Sequence, residues 1–206
     1  MRKIVKAKES FEAAGYNYED IRRMRDCSFK QIYHILRGDF SKVRWRRLVC
    51  NNAWCPRWIF MLTMVANGRL YTKDKLLKWE IQTDQACLLC KQENESIQHL
   101  FFECQYAAEL WKKLLKWQGI SRTIYGWSEE LKWAENWTTR RNARTELFKM
   151  VLAGCVYYVW QEKNGRIFQD KARSWEIIGK LIVQEVHCQS NKEVEKVLSK
   201  LDYYPM

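Results

Sequence analysis

The chain has 206 residues and carries 36 Lys and Arg against 24 Asp and Glu, a formal charge of +12. Hydrophobic residues make up 47% of it, which fits a globular protein and excludes disorder as its main description. Only 8 glycines and 2 prolines are present, too few for the many tight turns of a β-sandwich or barrel. The composition therefore predicts a mostly helical fold.

The positive charge is concentrated near the N-terminus, where residues 1–50 hold 13 basic and 6 acidic side chains. An excess near one end favours a polyanionic partner, nucleic acid before membrane. The alternative is a solvated basic face that only keeps the protein soluble.

Cysteine usage and apolar runs bear on the compartment. The eight cysteines form one tight cluster and scattered single positions, unlike the framework of a small secreted domain. The N-terminus offers no apolar stretch of signal-peptide length, and the most apolar run, residues 58–66, is about half of a membrane span. We therefore expect an intracellular protein, nuclear or cytoplasmic, with reduced thiols and no membrane partner.

The spacing of apolar residues predicts a succession of helices. Ser28 and Thr72 stand at N-cap positions, Pro56 fits the first turn of a helix, and Gly68 follows the end of that helix. A polar turn over residues 82–95 interrupts the series. In chain order the predicted helices cover residues 4–14, 28–37, 56–65, 73–79, 96–102, 106–117, 128–137, 139–168, 174–187 and 192–201.

Three cysteines and a histidine follow one another as C-x2-C-x8-H-x4-C, at Cys87, Cys90, His99 and Cys104. Zn²⁺ binds four such ligands in a tetrahedron, with sulfur at about 2.3 Å and imidazole nitrogen at about 2.0–2.1 Å. The C-x2-C loop places two sulfurs on one side, and the histidine and third cysteine, near one end of a helix, close the other. Since no position is left for water or substrate, the pattern predicts one structural zinc ion.

The alternative for this cluster is a set of buried free cysteines, which behave as small hydrophobic residues. The polar turn residues around it favour the metal. The other cysteines are predicted to be structural, and those expected in the core are Cys27, Cys155 and Cys188. Cys50 and Cys55 form a C-x4-C pair without evident completing ligands, and His34 and His187 are expected to be structural.

The segments around the cluster resemble a known family. Residues 68–79 read G-R-L-Y-T-K-D-K-L-L-K-W, residues 87–90 read C-L-L-C, and residues 98–104 read Q-H-L-F-F-E-C. In this order they are similar to the zinc-binding domain at the C-terminal end of plant LINE-type (non-LTR) retrotransposon reverse transcriptases. The similarity extends loosely to V-W-Q-E-K-N-G-R-I-F at residues 159–168, where Lys163 stands in place of the usual arginine.

The resemblance implies a non-catalytic module that helps a retroelement polymerase hold template RNA or target DNA. The chain contains no Y-x-D-D pair, endonuclease-like Asp/His set, P-loop or G-x-G-x-x-G, so we expect no enzymatic activity and no small-molecule substrate. It looks like a detached C-terminal fragment, whose partners are RNA or DNA and, beside them, a separate reverse transcriptase or another protein.

The predicted fold class is all-α, an irregular helical domain with a CCHC zinc-knuckle insertion. The predicted domains are a basic N-terminal helical extension over residues 1–27 and a reverse-transcriptase-type zinc-binding helical domain over residues 28–138. Residues 139–206 are predicted to form a long helix and a helical tail that packs on it.

Two basic clusters are the candidates for nucleic-acid binding, because arginine forks suit phosphate oxygens and exposed aromatic faces stack on unpaired bases. Cations are disfavoured at a helix N-terminus. Because the second cluster stands at the start of the predicted long helix, it suggests that an external anion binds there. The alternative is that a neighbouring acidic residue such as Glu135 balances the charge. For Trp45 a place in the core is favoured, because most of the 11 tryptophans in a helical chain must be buried, and base stacking is the alternative. The candidates are Lys42, Arg44, Trp45, Arg46, Arg47 and Arg57 in the first cluster and Arg140, Arg141 and Arg144 in the second.

The zinc motif itself is a poor phosphate site, since Lys91 is its one nearby cation in the sequence and acidic residues surround it. We therefore expect zinc to organise the fold and nucleic acid to bind the basic N-terminal third. The alternative is a protein-interaction or scaffold module recruited from a retroelement fragment, with no nucleic-acid contact, because many aromatic residues in a small helical chain can form an interface.

Overall fold

The computed structural model describes residues 12, 13, 15–23, 28, 30, 31, 33, 34, 43–49 and 55–201. Within these residues the fold is helical and without strands, apart from an isolated antiparallel bridge between Ala86 and Asn94. The all-α prediction is confirmed. The helices are α1 Tyr18–Arg23, α2 Arg46–Val49, α3 Pro56–Ala66, α4 Lys73–Lys78, α5 Gln105–Trp117, α6 Trp127–Trp137, α7 Ala143–Phe168, α8 Trp175–Gln189 and α9 Lys192–Leu198, with a π-helical turn at His99–Glu103.

The chain divides into two compact units, Met1–Val43 and Arg44–Met206. In the first unit, the Ser28 hydroxyl accepts a hydrogen bond from the Gln31 backbone N–H (3.3 Å) and the Gln31 side chain accepts one from the Ser28 N–H (2.7 Å). This reciprocal pair confirms Ser28 as a helix cap. The helix predicted over residues 4–14 lies largely outside the described residues, and the predicted domain boundaries stay a prediction.

The second unit is built around α7, which is buried along most of its length. Residues 151–156 are buried in succession, so this part of the helix is enclosed on all sides rather than along one stripe. The helices that pack against it are α3, α5, α8 and α9. It begins at Ala143 because the Asn142 side chain accepts a hydrogen bond from the Thr145 N–H (2.9 Å), while the Thr145 hydroxyl accepts one from the Asn142 N–H (3.2 Å).

Helix α4 starts where the sequence predicts, but a different residue caps it. Thr72 does occupy the N-cap position, but its hydroxyl makes no capping hydrogen bond. Instead, the carboxylate of Glu95 accepts the hydrogen bond of the Lys73 N–H at 3.1 Å. A residue 22 positions away therefore replaces the expected local cap, and it links α4 to the end of the loop that carries Cys87 and Cys90.

Gly154 allows α3 and α7 to approach closely. A Cβ atom at this position would lie 2.9 Å from Cζ3 of Trp58 and 3.2 Å from Cγ2 of Ile182. Trp58 is fully buried, and its ring packs edge-on against Tyr158, so the ring has no free space to move into. The contact between the two helices thus depends on the missing side chain.

We expect Gly154→Ala to lower the free energy of unfolding by about 1–3 kcal/mol, since overpacking a filled core forces its side chains out of their preferred rotamers. In an open helical position the same change stabilises by up to about 1 kcal/mol. Gly165 is the matched control, because a Cβ atom there would meet only the Lys171 carbonyl oxygen, at 3.8 Å. Urea denaturation compares the two variants, and equal effects would contradict the packing argument.

Candidate metal centre

The four residues of the C-x2-C-x8-H-x4-C motif meet in space. The ligand atoms of Cys87, Cys90, His99 and Cys104 all lie within 4.8 Å of one another. The Sγ atoms of Cys87 and Cys104 are 3.9 Å apart, and Sγ of Cys90 is 3.3 Å from Nε2 of His99. Two sulfurs that bind one ion tetrahedrally at about 2.3 Å lie about 3.8 Å apart, whereas a disulfide measures about 2.05 Å. The donor set therefore fits a zinc ion, and Cys87 and Cys104 are not bonded to each other.

Burial and charge at the site also suit a cation. Cys87 and Cys104 are fully buried, His99 is nearly so, and Cys90 is half-buried. The hydrogen bond between the two buried sulfurs lowers the pKa of Cys87 and raises the pKa of Cys104, so the pair favours one thiolate. The thiolate is the form that binds metal. Within the described part of the chain, no other group of three or more His, Cys, Asp or Glu side chains could hold an ion.

Backbone hydrogen bonds shape the loop that carries Cys87 and Cys90. The Cys87 N–H donates to the Glu93 carbonyl at 2.7 Å, and the Lys91 N–H donates to the Cys87 carbonyl at 2.8 Å. Lys91 reverses the chain with a φ of +58°, in the left-handed region. This tight knuckle, residues 85–95, keeps the two sulfurs on one side of the loop, as the C-x2-C spacing predicts.

His99 and Cys104 are positioned by the π-helical turn. In a regular α-helix, side chains five residues apart would point about 140° away from each other. Here the helix is broken at Phe101 and Phe102, whose φ values are −103° and +114°. The Cys104 N–H donates to the His99 carbonyl at 2.7 Å and closes this wider turn. This break, which falls within the helix predicted over residues 96–102, brings the two ligands together.

Aromatic packing holds Phe102 in its unfavourable conformation. A positive φ at a bulky residue is destabilising by roughly 1–3 kcal/mol. The Phe102 ring is buried, stacks on Trp127 with 5.8 Å between centroids, and lies 5.2 Å from the ring of Trp111. Since Trp111 belongs to α5 and Trp127 to α6, both helices help to position the histidine and the third cysteine.

A buried ion pair joins the end of the knuckle to α7. Glu95 is fully buried, and its Oε1 accepts hydrogen bonds from the Lys73 N–H (3.1 Å) and from Nζ of Lys163 (2.7 Å). Lys163 is buried too, and its Nζ lies 4.3 Å from the centre of the Trp160 ring. Among the described residues, Oε2 of Glu95 has no hydrogen-bond partner.

A second link runs from α7 to the backbone between the two knuckle cysteines. Nη1 of Arg166 donates to the carbonyls of Leu88 (3.1 Å) and Leu89 (3.2 Å). Arg166 is held in place by the buried Glu162, which accepts its Nε–H at 2.9 Å and also accepts hydrogen bonds from the backbone and side chain of Arg173. The position of the knuckle is therefore set by residues more than 70 positions away.

Glu162 remains charged in its buried position. Burial alone would raise the pKa of this carboxyl group, but hydrogen bonds from the Arg173 backbone and from the Arg166 and Arg173 side chains outweigh it and lower the pKa below its ordinary value. The negative charge thus stays available to orient Arg166 against the knuckle.

Sequence reasoning missed these supporting residues. Lys163 and Arg166 stand in the segment 159–168, which resembles the family loosely, but no spacing rule relates them to Cys87 or Cys90. The sequence places only Lys91 near the zinc motif, but the fold brings three further cations to the knuckle. Lys73 donates to the Ala86 carbonyl at 2.7 Å, and Lys163 and Arg166 make the contacts described above. A charge count along the sequence could not find them.

The first cluster of nucleic-acid candidates lies in and just before α2. Arg44, Arg46 and Arg47 are exposed, whereas Trp45 is half-buried and packs against the hydrophobic core. Lys42 lies outside the described residues. Helix α2 packs against α3 and α6.

Arg57, the last member of the first cluster, has partners inside the chain. Its Nη2 lies 3.2 Å from Oε1 of Glu185, and its guanidinium group lies 5.7 Å from the centre of the Tyr157 ring. These contacts occupy the side chain even though it is exposed. Its role in nucleic-acid binding stays a prediction.

The second cluster lies at the junction of α6 and α7. Arg140 and Arg141 precede the helix rather than standing in it, since α7 starts at Ala143, and Arg144 is in its first turn. All three side chains are exposed. Among the described residues none of them forms an ion pair, so Glu135 is not their partner.

The remaining cysteines divide between core and surface. Cys55 and Cys155 are buried, as expected for Cys155, while Cys27 and Cys50 lie outside the described residues. The prediction that Cys188 is a core residue is wrong, because it is exposed. It falls in the last turn of α8, away from the stripe of buried residues formed by Ile178, Gly179, Ile182, Val183 and Val186.

The two histidines that were expected to be structural differ in burial. His34 is exposed, and His187 is half-buried beside Trp117, with 6.4 Å between the ring centroids.

Within the described residues, no helix combines the length and the apolar character needed to cross a membrane.

Comparison with known proteins supports zinc binding. A family model described as zinc-binding in reverse transcriptase matches residues 27–111, which is less than half of the chain and includes all four candidate ligands. The match covers a zinc-binding domain and no catalytic domain. Comparisons with curated proteins and with solved structures give no match. Glu162, Lys163 and Arg166, which support the knuckle from α7, lie beyond the matched residues.

Proposed function

We propose that this chain is a non-catalytic, zinc-stabilised module that binds RNA or DNA through a basic face. The observation that carries the proposal is the set of donor atoms of Cys87, Cys90, His99 and Cys104, within 4.8 Å of one another in a segment that matches a zinc-binding family model. Three sulfurs and one imidazole leave no coordination position for a substrate, which supports one structural ion and no catalytic one.

Zinc held by these residues would cross-link the knuckle to the start of α5. The chain itself supplies the rest of the support: Glu95 and Lys163 hold one end of the knuckle on α7, and Arg166 holds its backbone. The site then serves to position helices, and the ligand is bound elsewhere on the surface.

Nucleic-acid binding is supported by the exposed arginines 44, 46 and 47 in a chain of formal charge +12. Guanidinium groups bind phosphate oxygens in pairs of parallel hydrogen bonds. The plant LINE-type origin, the descent from a detached fragment and the action beside a separate reverse transcriptase belong to the proposal as well, on the strength of the resemblance in sequence.

Replacing Arg44, Arg46 and Arg47 together by glutamine is expected to weaken binding of single-stranded and duplex RNA and to make the salt dependence shallower. The slope of log K against log salt should fall by about 0.7–0.9 for each phosphate group that the variant no longer neutralises. The matched control is Lys192→Gln, Lys196→Gln, Lys200→Gln, which removes the same charge from exposed positions in and after α9. Filter binding over a salt series measures both. An unchanged affinity and slope in the arginine variant, or an equal loss in the lysine control, would contradict the assignment.

A protein-interaction module is the second candidate, and an exposed apolar patch favours it. Tyr71, Leu77, Trp79 and Ile81, in and around α4, are exposed, and the rings of Tyr71 and Trp79 pack edge-to-face at 5.2 Å. A discrete oligomer that is insensitive to salt, together with no retention on RNA, would favour this function over nucleic-acid binding.

A further inference from the structure

We propose that Trp137 is a stacking platform for an unpaired base of single-stranded nucleic acid, and that Arg140, Arg141 and Arg144 bind the adjoining phosphates. This inference rests on the proposed function. It adds that the nucleic acid is single-stranded and that Trp137 recognises one of its bases.

Trp137 is the outer ring of an ordered aromatic stack. It lies parallel to Trp133, with 5.4 Å between centroids and 21° between planes. Trp133 stacks on one face of Trp137, and Trp137 nonetheless remains 43% exposed, which is consistent with an accessible outer face. A base could therefore extend the stack by one layer.

The ring beneath Trp137 is rigidly held. Trp133 packs edge-to-face against the fully buried Phe148 at 5.3 Å, and the guanidinium group of Arg122 lies 4.1 Å from the centre of its ring. Arg122 is itself ion-paired with the buried Glu130. Because this support is already ordered, a base that stacks on Trp137 would order few additional side chains.

The arginines follow the platform directly in the chain. Arg140 and Arg141 are three and four residues beyond Trp137, which places their Cα atoms within about 14 Å of it. All three guanidinium groups are exposed and form no ion pair with the described carboxylates. Arg144 stands in the first turn of α7, where the helix dipole disfavours a cation unless an anion is bound nearby.

These features favour an unpaired nucleic acid over an apolar protein surface. Stacking requires an accessible base face, which a duplex does not offer, and unpaired arginines complement phosphates. The second exposed pair, Tyr71 and Trp79, is bordered by the apolar Leu77 and Ile81 and by charges of both signs. Helix α6, which carries the stack, also packs against α2, so the two arginine clusters lie on neighbouring elements.

The test compares Trp137→Ala with Trp79→Ala by fluorescence anisotropy. The probes are a labelled single-stranded RNA about 12 nucleotides long, within the usual site size, and the duplex of the same sequence. We expect Trp137→Ala to weaken single-strand binding by about 5- to 150-fold, corresponding to roughly 1–3 kcal/mol of base–aromatic stacking. Duplex binding and the salt slope should stay unchanged. Trp79→Ala, at a residue that is even more exposed (55%), should have no effect.

Trp137→Phe tests whether a loss of binding in Trp137→Ala results from misfolding. It keeps an aromatic face and should retain most of the single-strand affinity. The triple change Arg140→Gln, Arg141→Gln, Arg144→Gln should instead weaken binding of both probes and reduce the salt slope. Equal loss of single-strand and duplex binding in Trp137→Ala, no loss at all, or the same loss in Trp79→Ala would overturn the inference.

Failure of this inference is distinguishable from failure of the proposed function. If the wild-type chain binds RNA with a steep salt dependence and Trp137→Ala binds equally well, only the stacking platform is wrong. If the wild-type chain binds neither probe, nucleic-acid binding itself is wrong, and the stacking platform is excluded with it.

Discussion

A variant with Cys87→Ser and Cys90→Ser is expected to bind no zinc and to unfold at a temperature about 10 °C or more below the wild type. The two remaining ligands, His99 and Cys104, cannot complete a tetrahedral site, and structural zinc contributes its binding free energy directly to folding. A loss of at least about 3 kcal/mol corresponds to this shift for a chain of about 200 residues. Thermal denaturation followed by circular dichroism measures it.

Cys188→Ser is the matched control, since Cys188 is exposed and outside the site, and it should unfold at the wild-type temperature. A strong chelator should lower the unfolding temperature of the wild type to that of the double variant and leave the double variant unchanged. A double variant that unfolds within about 2 °C of the wild type would rule out a structural metal; for this size that is less than about 1 kcal/mol.

Replacing Lys163 by methionine is expected to lower the free energy of unfolding by about 3–5 kcal/mol. The change removes the ammonium group that lies 2.7 Å from Oε1 of Glu95 and leaves a fully buried carboxylate with only the Lys73 N–H as a donor. Breaking one side of a buried ion pair is destabilising on this scale because the remaining charge is uncompensated. Urea denaturation at neutral pH measures the loss.

Two further variants separate the charge from the packing at this position. Glu95→Gln combined with Lys163→Met removes both charges while keeping an acceptor for Lys73, and it should recover more than half of the lost stability. Lys163→Arg keeps the charge, and its guanidinium group carries enough donors to serve both Oε1 and the unpartnered Oε2 of Glu95, so we expect a change within about 1 kcal/mol. A double variant as unstable as Lys163→Met would show that the charge is not the cause.

Sequence signals that act over only a few residues predict the positions of helices well. Pro56 begins α3, and Gly68 follows its end with a φ of +63°. The apolar spacing predicted α5 over residues 106–117, within one residue of the observed Gln105–Trp117, and the cysteine and histidine spacing predicted which side chains would meet. These features depend on periodicity and on single-residue preferences, which a sequence displays directly.

The support of the site depends on contacts between distant residues, and these were not predictable. Phe102 has a positive φ with the rings of Trp111 and Trp127 packed around it, and nothing in its own segment indicates that conformation. The pair of Glu95 and Lys163 joins positions 68 residues apart. Residue type alone predicts Cys188 in the core, whereas its position outside the apolar stripe of α8 leaves it exposed.

Zinc analysis of the purified chain, by elemental content and by X-ray absorption at the zinc edge, tests the central claim most directly. We expect one zinc ion per chain, with three sulfur ligands at about 2.3 Å and one nitrogen ligand at about 2.0–2.1 Å. A wild-type chain that contains no zinc, or whose zinc is surrounded by oxygen and nitrogen atoms only, would contradict the assignment of Cys87, Cys90, His99 and Cys104 as its ligands.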